Sequence, residues 1–333
     1  MLRVLATLFA LLLSLTAYAQ KQRHFTFHYS FTIRNVPTGK ALHVWIPLAH
    51  SDRWQDVSVV SQKGDLTLKR TQEQEYGNWV LYGEAPGADK SEYRFTIDYD
   101  VVRRERVVLV NGKPDADFHP DRAHVQLARF LQPDRLVPTT GLPAQLAIEQ
   151  TKGASTQLEK AHAIYDYVFH NMRYDKTGTG WGHGDTLWAC DSKRGNCTDF
   201  HSLFISMARS QHIPARFEIG FQLPPDKQSA EVPSYHCWSD FYVNSIGWIP
   251  VDISEAWKHQ ELHDYYFGAH DASRLQFTIG RDLRLEPPQA GSPLNYFVYP
   301  YVEIGGKEYP NVEIAFSFKD AESSKPPVSA QGH

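Results

Sequence analysis

Cysteine is scarce: the 333 residues hold only Cys190, Cys197 and Cys237. That number excludes a disulfide-stapled scaffold. No CxxC pair occurs, so the commonest mark of a structural zinc site is missing. Positive charge is not in excess either. A net charge of −4 gives no electrostatic basis for binding nucleic acid or an anionic membrane surface. A phosphate-cradling GxxxxGK(S/T) loop, a clustered Asp/Asn calcium loop and an internal repeat are all absent. Beyond the first twenty residues no apolar run approaches the roughly 20 residues that a bilayer span requires.

The first twenty residues are of another kind. Arg3 supplies positive charge, and Val4 to Leu15 is apolar except for Thr7 and Ser14. Ala17-Tyr18-Ala19 then gives a small-x-small cleavage pattern. This is the layout of a signal peptide over residues 1–19, cut before Gln20. The mature protein is therefore expected to be exported, periplasmic or secreted, with no integral membrane segment. An odd cysteine count in an exported chain points to an unpaired thiol. Two arrangements fit: a Cys190–Cys237 bridge that leaves Cys197 free, or three free thiols.

The length suggests about two domains. Residues 24–34 alternate strictly, with Phe25, Phe27, Tyr29, Phe31 and Ile33 on one face. A period of two predicts a half-buried strand. The signal recurs at Leu42/Val44/Ile46, Val57/Val59, Leu66/Leu68, Trp79/Leu81 and Tyr93/Phe95/Ile97/Tyr99/Val101, with turn-forming breaks between. Short strands in succession predict an antiparallel β-sandwich over residues 20–115.

The pattern then turns helical. A short helix is expected at 121–132 and a clearer one at 156–172, where Thr156-x-x-Glu159 is a capping box. Gly178 to Gly184 is a glycine-rich loop, read as a solvent loop or a flap. Asn196 opens a third helix whose apolar residues Phe200, Leu203, Phe204, Met207 and Ala208 share one face, and Pro214 ends it. Strands return at Phe217–Phe221, Tyr235–Val243 and Trp248–Ile253, with Asn244 to Gly247 as the last turn. A closing hairpin is expected from Tyr296–Ile304 and Glu308–Phe318 across Gly305-Gly306. The fold class is α+β: the sandwich, then helices packed on an antiparallel sheet over 116–318 with C-terminal strands, then a disordered tail at 319–333.

Chemistry concentrates in three places. Cys197 follows Gly195-Asn196 and sits in the first turn of a predicted helix. The exposed N–H groups and dipole of a helix N-terminus favour a thiolate, the form that attacks a carbonyl. A thiol nucleophile needs a base to take and return its proton, and that base needs a carboxylate to orient it. His236 on one predicted strand and Asp252 after the next supply the two groups. If Tyr242 faces Trp248 across the turn, His236 becomes the diagonal same-face neighbour of Asp252. A slip of one residue would send the two to opposite faces. By the same alternation Cys237 is expected to point away from the His236 side. A zinc site made of Cys190, Cys197, His201 and His236 lacks the close spacing such sites use.

Gly195-Asn196-Cys197-x-Asp199, His236-x-Trp238 and Gly247-Trp248-x-Pro250-x-Asp252 together resemble the core signature of the transglutaminase-like superfamily. The preceding Asn171-Met172-Arg173-Tyr174-Asp175 is similar to the family pattern as well, and the likeness spans about residues 150–255. The resemblance implies a papain-like core and acyl transfer through a thioester. Cys197 would be the nucleophile, His236 the general acid and base, and Asp252 the orienting carboxylate. The resemblance to bacterial members makes the periplasm the default compartment. The substrate would be a peptide or protein amide, with peptidoglycan peptides, periplasmic proteins and isopeptide links all open; no cofactor or metal is implied. The Cys197 N–H is a natural oxyanion donor. Neither Trp181 nor Trp188 matches the spacing of the second donor, an indole, in animal transglutaminases. The competing class is a catalytically silent module that keeps the fold to bind a periplasmic or cell-envelope partner.

Overall fold

The computed structural model describes residues 21–119 and 126–322. The expected signal peptide, most of the expected tail and the first part of the 121–132 segment lie outside them.

The chain opens in strands that follow the alternating segments: β1 (Gln22–Arg34), β2 (Leu42–Pro47), β3 (Gln55–Gly64), β4 (Leu68–Gln72), β5 (Trp79–Ala85) and β6 (Glu92–Arg104). Every second residue along β1 and β6 is buried, as a period of two requires when one face meets a core. Their register sets Phe31 opposite Phe95, and the two rings stack with centroids 4.7 Å apart.

Helices follow. α1 (Leu142–Gln150) carries Pro143 in its first turn, where a missing N–H costs nothing. α2 (Gln157–Asn171) begins at the predicted capping box. There the Glu159 N–H donates to Thr156 Oγ1 at 3.1 Å and the Thr156 N–H donates to Glu159 Oε2 at 2.9 Å. Of the helix predicted at 121–132, the described part contains a single 3-10 turn at Arg129–Leu131. Then come β7 (Arg173–Tyr174), α3 (Thr186–Ser192), β8 (Arg194–Gly195) and α4 (Cys197–Ser210). The chain continues through β9 (Ala215–Gln222), β10 (Ser229–Glu231), β11 (His236–Val243), β12 (Gly247–Val251), α5 (Ile253–Lys258) and β13 (Arg274–Ile279). It closes with β14 (Tyr301–Ile304), β15 (Lys307–Glu308) and β16 (Val312–Asp320).

Two five-stranded sheets run β10-β16-β1-β6-β3 and β15-β14-β2-β5-β4, and a four-stranded sheet runs β12-β11-β9-β13. Strands of the two larger sheets share one core, the α+β arrangement the sequence predicts. The C-terminal strands depart from prediction. The Gly305-Gly306 turn is present, but pairing across it stops at Glu303–Glu308. β16 instead pairs with β1, and β14 with β2. Phe316 and Phe318 need an apolar partner face, and the first sheet provides one. The last strands thus complete the sheets begun by the first ones rather than forming a hairpin on the helical core. Lys319 and Asp320, assigned to the tail from sequence, end β16.

α4 runs through the middle of the helical half against β9 and β11, with α1, α2 and α3 beside it. All its residues from Cys197 to Arg209 are buried, not only the predicted apolar face. Its polar side chains are satisfied internally: Arg209 pairs with Asp134 at 2.7 Å, and Ser202 Oγ accepts from Arg281 at 2.5 Å. The site is therefore mounted on a central, enclosed helix. Among the described residues no helix is long and apolar enough to cross a membrane.

Candidate active site

Cys197 is the first residue of α4, and Asn196 is its N-cap. The Thr198 N–H donates to Asn196 Oδ1 at 2.9 Å, and the Asn196 N–H donates to Asp199 Oδ2 at 2.9 Å. This is a capping box in which Asn and Asp replace the Ser/Thr and Glu of the usual pattern. The Cys197 N–H has no acceptor among the described residues, as expected at the start of a helix. Asp199 also accepts from the N–H groups of Gly182 at 2.7 Å and Gly184 at 3.0 Å. Arg281 donates to the His183 carbonyl at 3.0 Å. The glycine-rich loop is thus tied to α4 by a buried carboxylate and a buried guanidinium. Gly195 makes the close approach possible: at φ 150° a Cβ there would lie 2.2 Å from the Asp199 carboxylate.

β11 and β12 pair with Tyr242 opposite Trp248 and Ser239 opposite Val251, the register required to bring His236 and Asp252 together. The strand ends at Val251, one residue before Asp252, which caps α5. His236 Nε2 and Asp252 Oδ2 are 2.7 Å apart, and the His236 and Cys197 side chains lie close enough to shift one another's protonation. With Nε2 committed to the carboxylate, Nδ1 is the ring nitrogen left for the sulfur. The structure therefore brings together all three residues singled out from the sequence.

The charges follow from these contacts. Burial opposes a charge on the His236 ring, but the Asp252 carboxylate and its hydrogen bond outweigh burial and raise the ring to about 10. Burial likewise opposes a thiolate at Cys197. Hydrogen bonds from Cys237 and His236, and the positive imidazolium, reverse that and hold Cys197 well below an ordinary thiol. Asp252 is fully buried, yet His236 and Arg274 hold it well below the usual carboxylate range. These shifts favour negative charge on the Cys197 sulfur and positive charge on the His236 ring.

Several supporting residues went unrecognised in the sequence. Arg274, fully buried, donates to Asp252 Oδ2 at 3.2 Å and to Asp271 at 2.7 Å. His201 is fully buried, and its Nε2 accepts the Ile253 N–H at 3.1 Å. It thereby holds the residue next to Asp252. The Tyr235 hydroxyl accepts from Asn196 Nδ2 at 3.1 Å and lies 3.0 Å from Thr198 Oγ1. Tyr174 lies opposite Gly195 in the β7–β8 pair, two residues before Cys197. None of them carries a local sequence signal, because each acts through partners distant along the chain.

The expectation for Cys237 needs correction. Alternation does turn it away from His236, but the face it occupies is the one α4 packs against. Its thiol donates to Thr198 Oγ1 at 3.7 Å, on the residue next to Cys197. All three cysteines are free, so the Cys190–Cys237 bridge is not formed. Cys190 stands apart on α3, where burial raises its thiol to about 11. The Trp181 indole N–H is committed to the Gly178 carbonyl at 3.1 Å. A cleft of about 830 Å³ opens onto His236, with Tyr174, Tyr235, Glu255 and Lys258 among its walls. Its size suits a short peptide segment.

A helix-borne cysteine, a histidine on an antiparallel sheet and an aspartate just past the next strand can now be set beside known proteins. Residues 144–253 match the model of the transglutaminase-like superfamily. That stretch is a transglutaminase-like domain. A curated but uncharacterized protein of Haemophilus influenzae is 25% identical over 319 residues, 85% of each chain. Among solved structures, a candidate cysteine protease from Cytophaga hutchinsonii superposes with a TM-score of 0.57 at 16% identity. That match covers 93% of this chain and 95% of the other, so the fold of nearly the whole chain is shared. The periplasmic domain of TgpA from Pseudomonas aeruginosa covers 74% of this chain and 94% of its own, at a TM-score of 0.36 and 14% identity.

Proposed function

We propose that this protein is an exported, thiol-dependent amide hydrolase or acyltransferase that works through a thioester on Cys197. The observation that carries the reading is the 2.7 Å contact of His236 with Asp252, in a ring that shares its buried site with the Cys197 thiol at a helix N-terminus. The cleft above His236 and the transglutaminase-like core support it.

In this reading the Cys197 thiolate attacks the carbonyl carbon of a substrate amide. The developing oxyanion takes the unused N–H of Cys197, and the Tyr174 hydroxyl, which has no hydrogen-bond partner among the described residues, is the second donor we assign. The intermediate collapses as the His236 imidazolium gives its proton to the leaving nitrogen, releasing an amine and leaving a thioester. Neutral His236 then takes a proton from water, or from an acceptor amine, as that molecule attacks the thioester. Collapse of the second intermediate returns the thiolate and the imidazolium. Asp252 stays ionised throughout, and Arg274 and the α5 N-terminus help it do so. Water is the acceptor favoured here, since nothing in the cleft singles out an amine. The substrate class is a peptide or protein amide of the cell envelope.

The test is to trap the acyl-enzyme. Wild type and Cys197→Ala are incubated with cell-envelope extract, quenched in acid and mapped by mass spectrometry. A thioester adduct on the Cys197 peptide of wild type alone is the expected result. Binding of the same envelope components by both proteins, with no adduct and no cleavage, would identify a silent binding module instead.

A further inference from the structure

Charge is matched unevenly around the catalytic cleft. On the wall formed by the start of β1, Arg23 pairs with Asp320 at 2.9 Å and Lys21 with Glu105 at 3.7 Å. The Tyr174 wall is different. Lys258 Nζ lies 4.2 Å from the centre of the Tyr174 ring, and Lys176 Nζ lies 5.7 Å from the same centre. Lys176 is also 5.9 Å from the Trp181 ring. Tyr174, Lys176 and Lys258 line the cleft together with His236. Two ammonium groups thus share one aromatic ring at the wall of the site.

The acids nearby do not balance them. Asp175 pairs with Arg194 at 3.6 Å and accepts the Thr177 N–H at 2.8 Å. Glu255 is 6% exposed and meets Lys258 at 2.6 Å. Lys176 has no carboxylate partner among the described residues. A ring face steadies an ammonium but leaves its three N–H donors without an oxygen acceptor. The corner is also close to the chemistry, since Glu255 Oε1 lies 3.9 Å from His236 Nε2 and 2.6 Å from Lys258 Nζ. A positive charge is therefore left over beside the catalytic ring, in the space a substrate enters.

We propose that the substrate carries a carboxylate next to the amide that Cys197 attacks, and that Lys176 and Lys258 hold it at the Tyr174 wall. The proposal rests on Cys197 being the nucleophile. The chemical class is an acidic peptide, whose carboxylate sits on a side chain or at a chain end. Fixed charge along a cleft concentrates ligands of the opposite sign. Opposite unit charges about 6 Å apart beside water give about a threefold preference. The same corner repels a protonated amine, in keeping with water as the acceptor.

The experiment compares iodoacetate with iodoacetamide at Cys197, by rate and by peptide mapping. The two reagents share a leaving group and differ in charge. Their rate ratio therefore reports how the site treats a carboxylate beside the carbon attacked. Wild type is set against Lys176→Gln and Lys176→Glu, with Lys152→Gln, outside the cleft, as the control for net charge. Attraction of iodoacetate to the His236 imidazolium is common to all of them and cancels. The ratio should fall about threefold in Lys176→Gln and about tenfold in Lys176→Glu, and should hold its wild-type value in Lys152→Gln. Equal ratios throughout would overturn the proposal. A wild-type iodoacetamide rate no faster than that of a free thiol would instead sink the nucleophile reading itself. Protection of Cys197 from iodoacetamide by acetylated dipeptides separates the two sources of carboxylate. Acetyl-Ala-Glu-amide offers a side-chain acid, acetyl-Ala-Ala a chain end, and acetyl-Ala-Gln-amide neither. Stronger protection by one acid than by the neutral peptide supports the proposal and identifies the source. Equal protection by all three peptides would contradict it.

Discussion

Asp252 divides its carboxylate between a helix and the His236 ring: Oδ1 accepts the Glu255 N–H at 3.1 Å, and Oδ2 meets His236 Nε2 at 2.7 Å. Capping α5 therefore also fixes the direction in which the histidine is held. Asp252→Asn separates the two tasks, since asparagine caps helices about as well as aspartate. We expect a folded protein in which His236 has lost its counter-charge. Alkylation of Cys197 at pH 7 should slow by at least about tenfold, because an ordinary thiol near 8.5 is only about 3% ionised there. Circular dichroism checks the fold and iodoacetamide kinetics check the rate.

Stability should depend on pH through the same ring. The folded His236 is raised from 6.5 to about 10, so protonation favours the folded state. That contribution is complete below pH 6.5 and disappears as pH climbs toward about 10. Below about pH 8.5 the Cys197 thiol, depressed in the folded state, acts in the opposite sense, so thermal melts of wild type should decline chiefly between about pH 8.5 and 10. His236→Gln should melt lower near neutrality and lose that slope. A wild-type melting temperature as flat as that of the variant would contradict the shift.

Asp199 holds three backbone N–H groups, from Gly182, Gly184 and Asn196. Asp199→Ala leaves three buried donors without an acceptor, each worth about 1–3 kcal/mol. We expect a loss above about 2 kcal/mol in urea unfolding and new protease nicking within residues 178–184. An uncut loop and an unchanged midpoint would show that the loop does not depend on this carboxylate.

The cysteine arrangement is testable by oxidation. Diamide, which takes up the two thiol hydrogens as a disulfide forms, should join Cys197 to Cys237 and leave Cys190 free. Thiol reductant should reverse it. A product joining Cys190 to either partner would contradict the placement of Cys190 apart from the other two.

The local signals in the sequence were strong where one pattern decided the outcome. The alternation of β1 and β6, the capping box at Thr156 and the opening of α4 at Asn196 each depend on residues a few positions apart. The His236–Asp252 contact was legible because a short turn and a period of two fix the register. What stayed hidden depends on partners distant along the chain. β16 finds β1 nearly three hundred residues away, as the Phe27–Phe318 pairing records. Arg274 and His201 look unremarkable beside their neighbours until Asp252 and Ile253 fold against them. Cys237 was misjudged for a related reason: alternation gives its face, but only the packed α4 shows that Cys197 borders that face too.

The account stands most directly on the state of the Cys197 sulfur. Its alkylation by iodoacetamide near pH 6, measured at the mapped Cys197 peptide against a free model thiol, tests that state without knowledge of a substrate. A thiolate held by His236 should react at least about a hundredfold faster than the model thiol, of which only a small fraction is ionised at that pH. Equal rates would mean an ordinary protonated cysteine and would contradict the account.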